Sequence, residues 1–400
     1  MNGVRRRVNS GRTARLAWCA LLAPALLVAS LAAQEYGFVT RLGRDTVAIE
    51  RVRRDAGHLF GDIVERNPTV VTRHYEVLLA ADGSVRTFSI VSHRASAAPG
   101  DAGERVDLAF EAGGFRASVL RGGRSHVTMY TTHDPIAMPW LPMAWGLSEQ
   151  VLIAARRDSG DSTPVTTYLP AGRLAGIGST VLRRYATDSA TIDYRGEPIV
   201  AYLDRRGSVV SLFGQRTTNK VRADRVVPAP DVAAIARRFA SAERLAGGPA
   251  AALSPRDTAR AVIGAASLAI DYGRPSLRGR RAIGLLVPVD SVWRTGANEA
   301  TQLATTLPIT LAGIALAAGR YTLWIRLTRQ GPTLIINRQT GQWGTDYDST
   351  ADVARAPLAA AGVSKPVERF TCRIVPTGRS TGLLVIEWDR FRWTAAIAVR

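Results

Sequence analysis

The strongest constraint on this chain is a side-chain period of two. Val70-Val71-Thr72-Arg73-His74-Tyr75-Glu76-Val77-Leu78-Leu79 alternates, pauses at Asp82-Gly83, and resumes as Val85-Arg86-Thr87-Phe88-Ser89-Ile90-Val91. Alternation sends successive side chains to opposite faces of an extended strand, and Asp-Gly supplies the left-handed backbone that a tight hairpin needs. The unit recurs at 191–194, 199–203 and 208–212, separated by Arg195-Gly196-Glu197 and Asp204-Arg205-Arg206-Gly207. Residues 34–227 therefore read as a curved antiparallel sheet or half-barrel. Within them a helical stripe falls only on Trp145–Ala155, and Gly176-Ile177-Gly178-Ser179 reads as a turn. The apolar run 135–145 reads either as a lid over a ligand cavity or as a plug at one end of the sheet.

Pro228-Ala229-Pro230 closes that half. Asp231 suits a helix N-cap, and Val232, Ile235, Ala236, Phe239, Ala242 and Leu245 recur at helical spacing before Gly247-Gly248-Pro249. Residues 228–253 are thus a linking helix and linker, with the helix either a free connector or packed on the first half. From 254 to 400, about nine short apolar runs with brief turns predict a β-sandwich. Trp388-Asp389-Arg390-Phe391 reads as a hairpin turn. The expected class is mainly β, a curved sheet plus a sandwich with one linking helix.

Residues 1–33 carry Arg5, Arg6, Arg7, Arg12 and Arg15, then an apolar core broken by Pro24, then Ser30, Ala32 and Ala33. This is the order of a cleaved secretory signal. The apolar core, about 16 residues, falls short of the roughly 20 that span a bilayer, so the mature chain is expected to be exported and not transmembrane. Cys19 lies inside that core after Trp18, which argues against lipoprotein processing. The mature chain would keep one cysteine, Cys372, so neither an internal disulfide nor a thiolate metal site is expected. Net charge falls from +19 to +14 without the five arginines (47 basic minus 33 acidic). Basic residues are scattered, with no Lys/Arg block among aromatics, so no nucleic-acid partner is expected. Weak attraction to anionic lipid heads or acidic glycans stays open.

One run stands apart: Trp293-Arg294-Thr295-Gly296-Ala297-Asn298-Glu299-Ala300-Thr301. It gathers an indole, a guanidinium, an amide and a carboxylate between apolar segments. With Asp271-Tyr272-Gly273-Arg274-Pro275-Ser276, Arg278-Gly279-Arg280, Ala318-Gly319-Arg320-Tyr321, Gly341-Gln342-Trp343-Gly344, Lys365-Pro366-Val367-Glu368 and Glu387-Trp388, it makes the second half resemble the family of unknown function DUF2911. The resemblance implies an exported β-rich domain and no established activity. The first half is loosely similar, in strand pattern alone, to the curved sheets of LolA-like periplasmic carriers.

Arg274, Trp293, Arg294, Asn298, Glu299 and Trp343 form the expected ligand-binding set. Arginine offers a fork for carboxylate, phosphate or vicinal hydroxyls, and indole faces stack on sugars. That inventory suits a small molecule, a glycan or an envelope partner. Two alternatives stay open. A glycan hydrolase would set Glu299 against Asp271, Asp346 or Asp348 at roughly 5–9 Å. A structural protein would bury these side chains and satisfy them mutually. No catalytic residue, metal ligand or cofactor is assigned. The run 346–352 departs from a calcium loop at Thr350, Ala351 and Pro357, and the five histidines lack ligand spacing.

Overall fold

In the computed structural model, the described residues are 34–399, excluding 67–68, 98–99, 135, 157–159, 171–175, 195–196, 215–219 and 248–252. The expected signal segment 1–33 and part of the linker lie outside the described residues.

Strands β1 (Gln34–Leu42), β2 (Asp45–Arg54), β3 (His58–Arg66), β4 (Val70–Leu79), β5 (Val85–Arg94), β6 (Glu104–Glu111), β7 (Gly114–Arg121) and β8 (Arg124–Thr131) form a continuous antiparallel meander. After β9 (Ile136–Pro139) and helix α1 (Trp145–Ala155), the chain continues through β10 (Ser162–Leu169), β11 (Gly176–Ala186), β12 (Ser189–Tyr194), β13 (Glu197–Leu203), β14 (Val209–Phe213) and β15 (Arg222–Val226). Pairing of β1 with β15 joins both runs into one sheet of fifteen strands among the described residues. The 176–179 segment is the start of β11, not a turn: Gly178 pairs with Thr167, whose hydroxyl donates to the Gly178 carbonyl at 3.2 Å.

The sheet curls until side chains of β7 and β8 approach β10. Phe115 on β7 and Tyr130 on β8 lie 5.7 and 5.5 Å, between ring centroids, from Tyr168 on β10. Inside the curl lies α1, with Trp145, Leu147, Glu149, Val151 and Leu152 all buried. A helix enclosed on every side carries no polar stripe, which is why its periodicity is faint. Met138, Trp140, Leu141 and Ala144 join the same core, so the 136–144 run is interior packing.

A second helix, α2 (Val232–Leu245), is capped by Asp231, whose side chain accepts from Ala234 N at 2.9 Å. Val232, Ile235, Ala236 and Phe239 pack onto Ile49, Val64 and Val70 on the outer face of the first sheet. The expectation of one helix is corrected in number: there are two α-helices among the described residues. Of the two placements open for the linking helix, it takes the one packed on the first sheet.

The remainder is a two-sheet sandwich. One sheet holds β16 (Arg256–Ile263), β17 (Ala266–Gly273), β18 (Val292–Trp293), β19 (Thr301–Thr305), β22 (Gly319–Thr328), β23 (Gly331–Asn337) and β24 (Asp352–Pro357); the other holds β20 (Ile309–Leu311), β21 (Ile314–Leu316), β25 (Ala359–Pro376) and β26 (Thr381–Val399). Trp293, Phe370, Trp388, Phe391 and Trp393 fill the space between. The expected turn at 388–391 is not one. Strand β26 runs straight through it, and Asp389, at φ 50°, marks an irregularity where the pairing register with β25 shifts. The chain reverses instead between β25 and β26, where Thr377 N donates to Thr381 O at 2.9 Å. The two halves meet at Arg278: Arg44 N donates to its carbonyl at 2.9 Å, and its guanidinium reaches Asp45 and the Leu253 carbonyl. No described helix is long and apolar enough to cross a membrane.

Candidate functional site

The 293–301 run is a backbone device before it is anything else. Trp293 ends β18 and is 6% exposed, stacked on Trp388 at 6.1 Å and edge-on to Phe370 at 5.3 Å. Beyond it the chain turns through Thr295 (φ 53°), Gly296 (φ 151°) and Asn298 (φ 63°). Asparagine tolerates the left-handed region and glycine occupies it freely, which explains those residue types there. Thr301 closes the loop, its hydroxyl donating to Thr295 O at 2.6 Å and its amide to Arg294 O at 3.3 Å. Gly273 and Gly344 press against the loop from either side: a Cβ on Gly273 would strike the Ala297 carbonyl, and one on Gly344 would strike the Arg294 side chain.

Of the six expected site residues, the structure brings four together and separates two. Arg294, Asn298, Glu299 and Trp343 share the contact between this loop and the 341–344 segment. There Glu299 and Trp343 form a β-bridge and Gly344 N donates to Asn298 O at 2.9 Å. Trp293 points into the core instead. Arg274 turns towards β25, donating to Asp257 at 2.9 Å, Phe370 O at 3.3 Å and Thr371 Oγ1 at 3.4 Å. Glu299 accepts from Arg256 at 2.9 Å, and the same guanidinium grips both oxygens of Asp271 at 3.2 and 2.8 Å. Asp348 caps the short 3-10 turn Ser349–Ala351 through Thr350, and Asp352 is taken up by Asn337, Tyr347 and Arg355. Among the described residues no group of three His, Cys, Asp or Glu is placed to hold a metal.

Sequence patterning misses the open surface next to this loop. Arg260 on β16 sits opposite Ala269 on β17, Ala269 opposite Ala304 on β19, and Ala304 opposite Arg320 on β22. Directly opposed residues share a face. The row is therefore an arginine, two alanines and an arginine, about 14 Å from end to end at three strand spacings of about 4.8 Å. It floors a trough of about 660 Å³. Both arginines are exposed, and neither guanidinium has a partner among the described residues. Two residues along each strand, Asp271, Gln302 and Thr322 continue the same face, with Gln302 and Gln342 donating to Thr322 Oγ1 at 2.8 and 3.2 Å. The signal for the trough is register, and register is invisible until the strands are paired.

A second cluster lies inside the first sheet. Glu50 on β2 is 1% exposed and accepts from Trp145 N at 2.7 Å, Gly146 N at 3.2 Å and Tyr75 Oη at 2.8 Å. It caps the start of α1 from the facing strand, where the helix dipole favours a negative charge. Burial pushes its carboxyl up to about 8, against the lowering effect of those donors. Glu149, on the helix, accepts from Tyr36 Oη, Val209 N at 2.8 Å and Arg225 at 2.9 Å. Burial and the facing Glu149 push the Tyr36 phenol up. Ala48, Glu50, Val52 and Arg54 share one face of β2, and this is the sequence trace of the cluster. Burial of the opposite face by α2 hides it.

No curated protein matches the chain. The solved structures that resemble it include the following two. One is a DUF1089 family protein from Pseudomonas aeruginosa, at 11% identity over 42% of this chain and 89% of that one, with a TM-score of 0.31. The other is a beta-barrel-like protein of domain of unknown function DUF1849 from Brucella abortus, at 14% identity over 48% and 94%, with a TM-score of 0.32. Residues 254–397, which build the sandwich and carry the 293–301 loop, match the model of DUF2911, a protein family of unknown function.

Proposed function

We propose that this is an exported binding protein whose C-terminal sandwich takes an extended anionic ligand, foremost an acidic glycan, on the outer face of β16, β17, β19 and β22. The observation that carries this reading is the pair of exposed guanidinium groups, Arg260 and Arg320, without a partner among the described residues, at the two ends of an alanine-floored row. Alanine lets a flat ligand approach the sheet, and each arginine offers a fork to a carboxylate or sulfate. Gln302 and Gln342, half-buried beside the row and anchored on the buried Thr322, border it with amides suited to orienting hydroxyls. Export rests on the basic and apolar order of residues 1–33. The hydrolase alternative gains nothing here: Arg256 stands between Glu299 and Asp271, in the space a sugar would have to cross.

Calorimetric titration of the protein purified from the periplasm tests the proposal, with four probes: polygalacturonate, dextran sulfate, neutral dextran, and phosphatidylglycerol vesicles. Binding to one or both charged polymers and none to dextran is expected. It should weaken about tenfold or more in Arg260→Ala/Arg320→Ala and persist in Arg116→Ala/Arg183→Ala, which removes the same charge elsewhere. Equal losses in both double variants would reduce the effect to net charge and sink the reading. Binding to vesicles alone would move the ligand to a lipid surface.

A further inference from the structure

Strand β8 ends the first sheet, pairing with β7 on one side and with no strand on the other among the described residues. Its hydrogen-bond phase follows from two observations. Thr132 N donates to Gly113 O at 3.0 Å, and Arg121 pairs with Arg124 across the Gly122-Gly123 turn. Bonded and non-bonded pairs alternate in an antiparallel ladder. Tyr130, Thr128, His126 and Arg124 therefore bond to β7, whereas Ser125, Val127, Met129 and Thr131 turn their amides and carbonyls outward. Val127 and Met129 are also 54% and 64% exposed on the outer face. Natural edge strands are blunted by proline, bulges or inward charge. Residues 125–131 contain no proline, lysine, arginine or acid, and the β7–β8 pairing has no register shift.

We infer that β8 is a strand-addition surface, and that its occupant is β8 of a second copy of this chain. The argument is self-complementarity. Antiparallel pairing about Thr128 sets Ser125 against Thr131 and Val127 against Met129, twice over. That register engages all four outward residues of each copy in bonded pairs, about eight backbone hydrogen bonds. Each small polar residue meets a small polar residue and each apolar residue an apolar one. An interface related by a twofold axis must present the same patch on both sides, and this strand does.

Sedimentation velocity of the protein from full-chain expression, at tens of micromolar, reads the outcome. A dimer is expected. Met129→Pro removes an amide that the fold itself does not use and should raise the dimer dissociation constant about tenfold or more, with circular dichroism unchanged. Val127→Lys leaves the backbone intact and should do the same if the proline variant misfolds. Thr128→Cys sits on the twofold axis in a non-bonded pair, where β-carbons approach to about 4.5–5.5 Å, and should cross-link two chains on oxidation. A monomer at that concentration would overturn the inference. So would a dimer indifferent to both edge variants, or one whose Thr128→Cys form does not cross-link.

Discussion

The two halves enclose very different interiors. The curved sheet wraps a helix whose buried surface carries Glu149 and Gln150, and faces it with Glu50, Tyr36, Tyr75 and Arg225. The sandwich closes on tryptophan and phenylalanine, with Trp293, Phe370 and Trp388 in mutual ring contact. Both interiors are packed with apolar side chains, but the first adds directed hydrogen bonds and buried polar groups to that packing, whereas the second rests on shape. The first should therefore respond to pH and to single added atoms. The second should respond to lost volume.

The largest effect is expected from Trp293→Ala, which opens a cavity beside Trp388 and Phe370. Such truncations cost about 3–5 kcal/mol, and chemical denaturation should read a loss of that size. In the first half, Gly146→Ala should cost about 1–3 kcal/mol, because its Cβ would sit 2.5 Å from Tyr75 Oη and 2.9 Å from Val52. If both variants proved equally tolerated, the contrast between a shape-held and a bond-held interior would fail.

The pH response sharpens the contrast. Burial raises the Glu50 carboxyl in the folded state from its ordinary value of 4.5 to about 8. Over that window the folded protein holds a proton that the unfolded chain has lost, so stability is greatest at the acid end and falls as pH rises through 8. Thermal unfolding followed from pH 5 to 9 should show the slope, and Glu50→Gln should flatten it. A slope of the same size in Glu50→Gln would assign it to another group.

Smaller losses are expected at the joint between the halves and on the sandwich surface. Arg278→Ala removes the contact to Asp45 and should cost about 1–3 kcal/mol, the range for a hydrogen bond to a charged group. Arg260 and Arg320 are exposed and without a partner among the described residues, so Arg260→Ala and Arg320→Ala should each shift stability by less than about 0.5 kcal/mol.

Much of this architecture is legible in the chain. The alternation around Asp82-Gly83 marks the β4–β5 hairpin, and the spacing of Val232, Ile235 and Phe239 marks α2. Reading fails where local chemistry has two outlets. Asp389 has the residue type of a turn, yet it serves as an irregularity inside a nineteen-residue strand. Trp293 and Arg274 have the side chains of a binding site, yet one completes a core and the other ties β17 to β25. Asn298 and Gly296 suit the left-handed backbone of the loop, and a sequence lists that requirement in the same letters as a ligand contact. The Arg260–Arg320 row depends on the pairing of four strands, and no local window contains it.

In this reading the 293–301 loop and its neighbours hold the sandwich together while the adjacent arginine row binds. Melting temperature and polygalacturonate affinity, measured side by side on Arg274→Ala and Arg260→Ala/Arg320→Ala, separate the two roles. Arg274→Ala should lower the melting temperature and keep the affinity, and the double variant should lose affinity at an unchanged melting temperature. Binding lost with Arg274 and kept without the row would overturn the assignment.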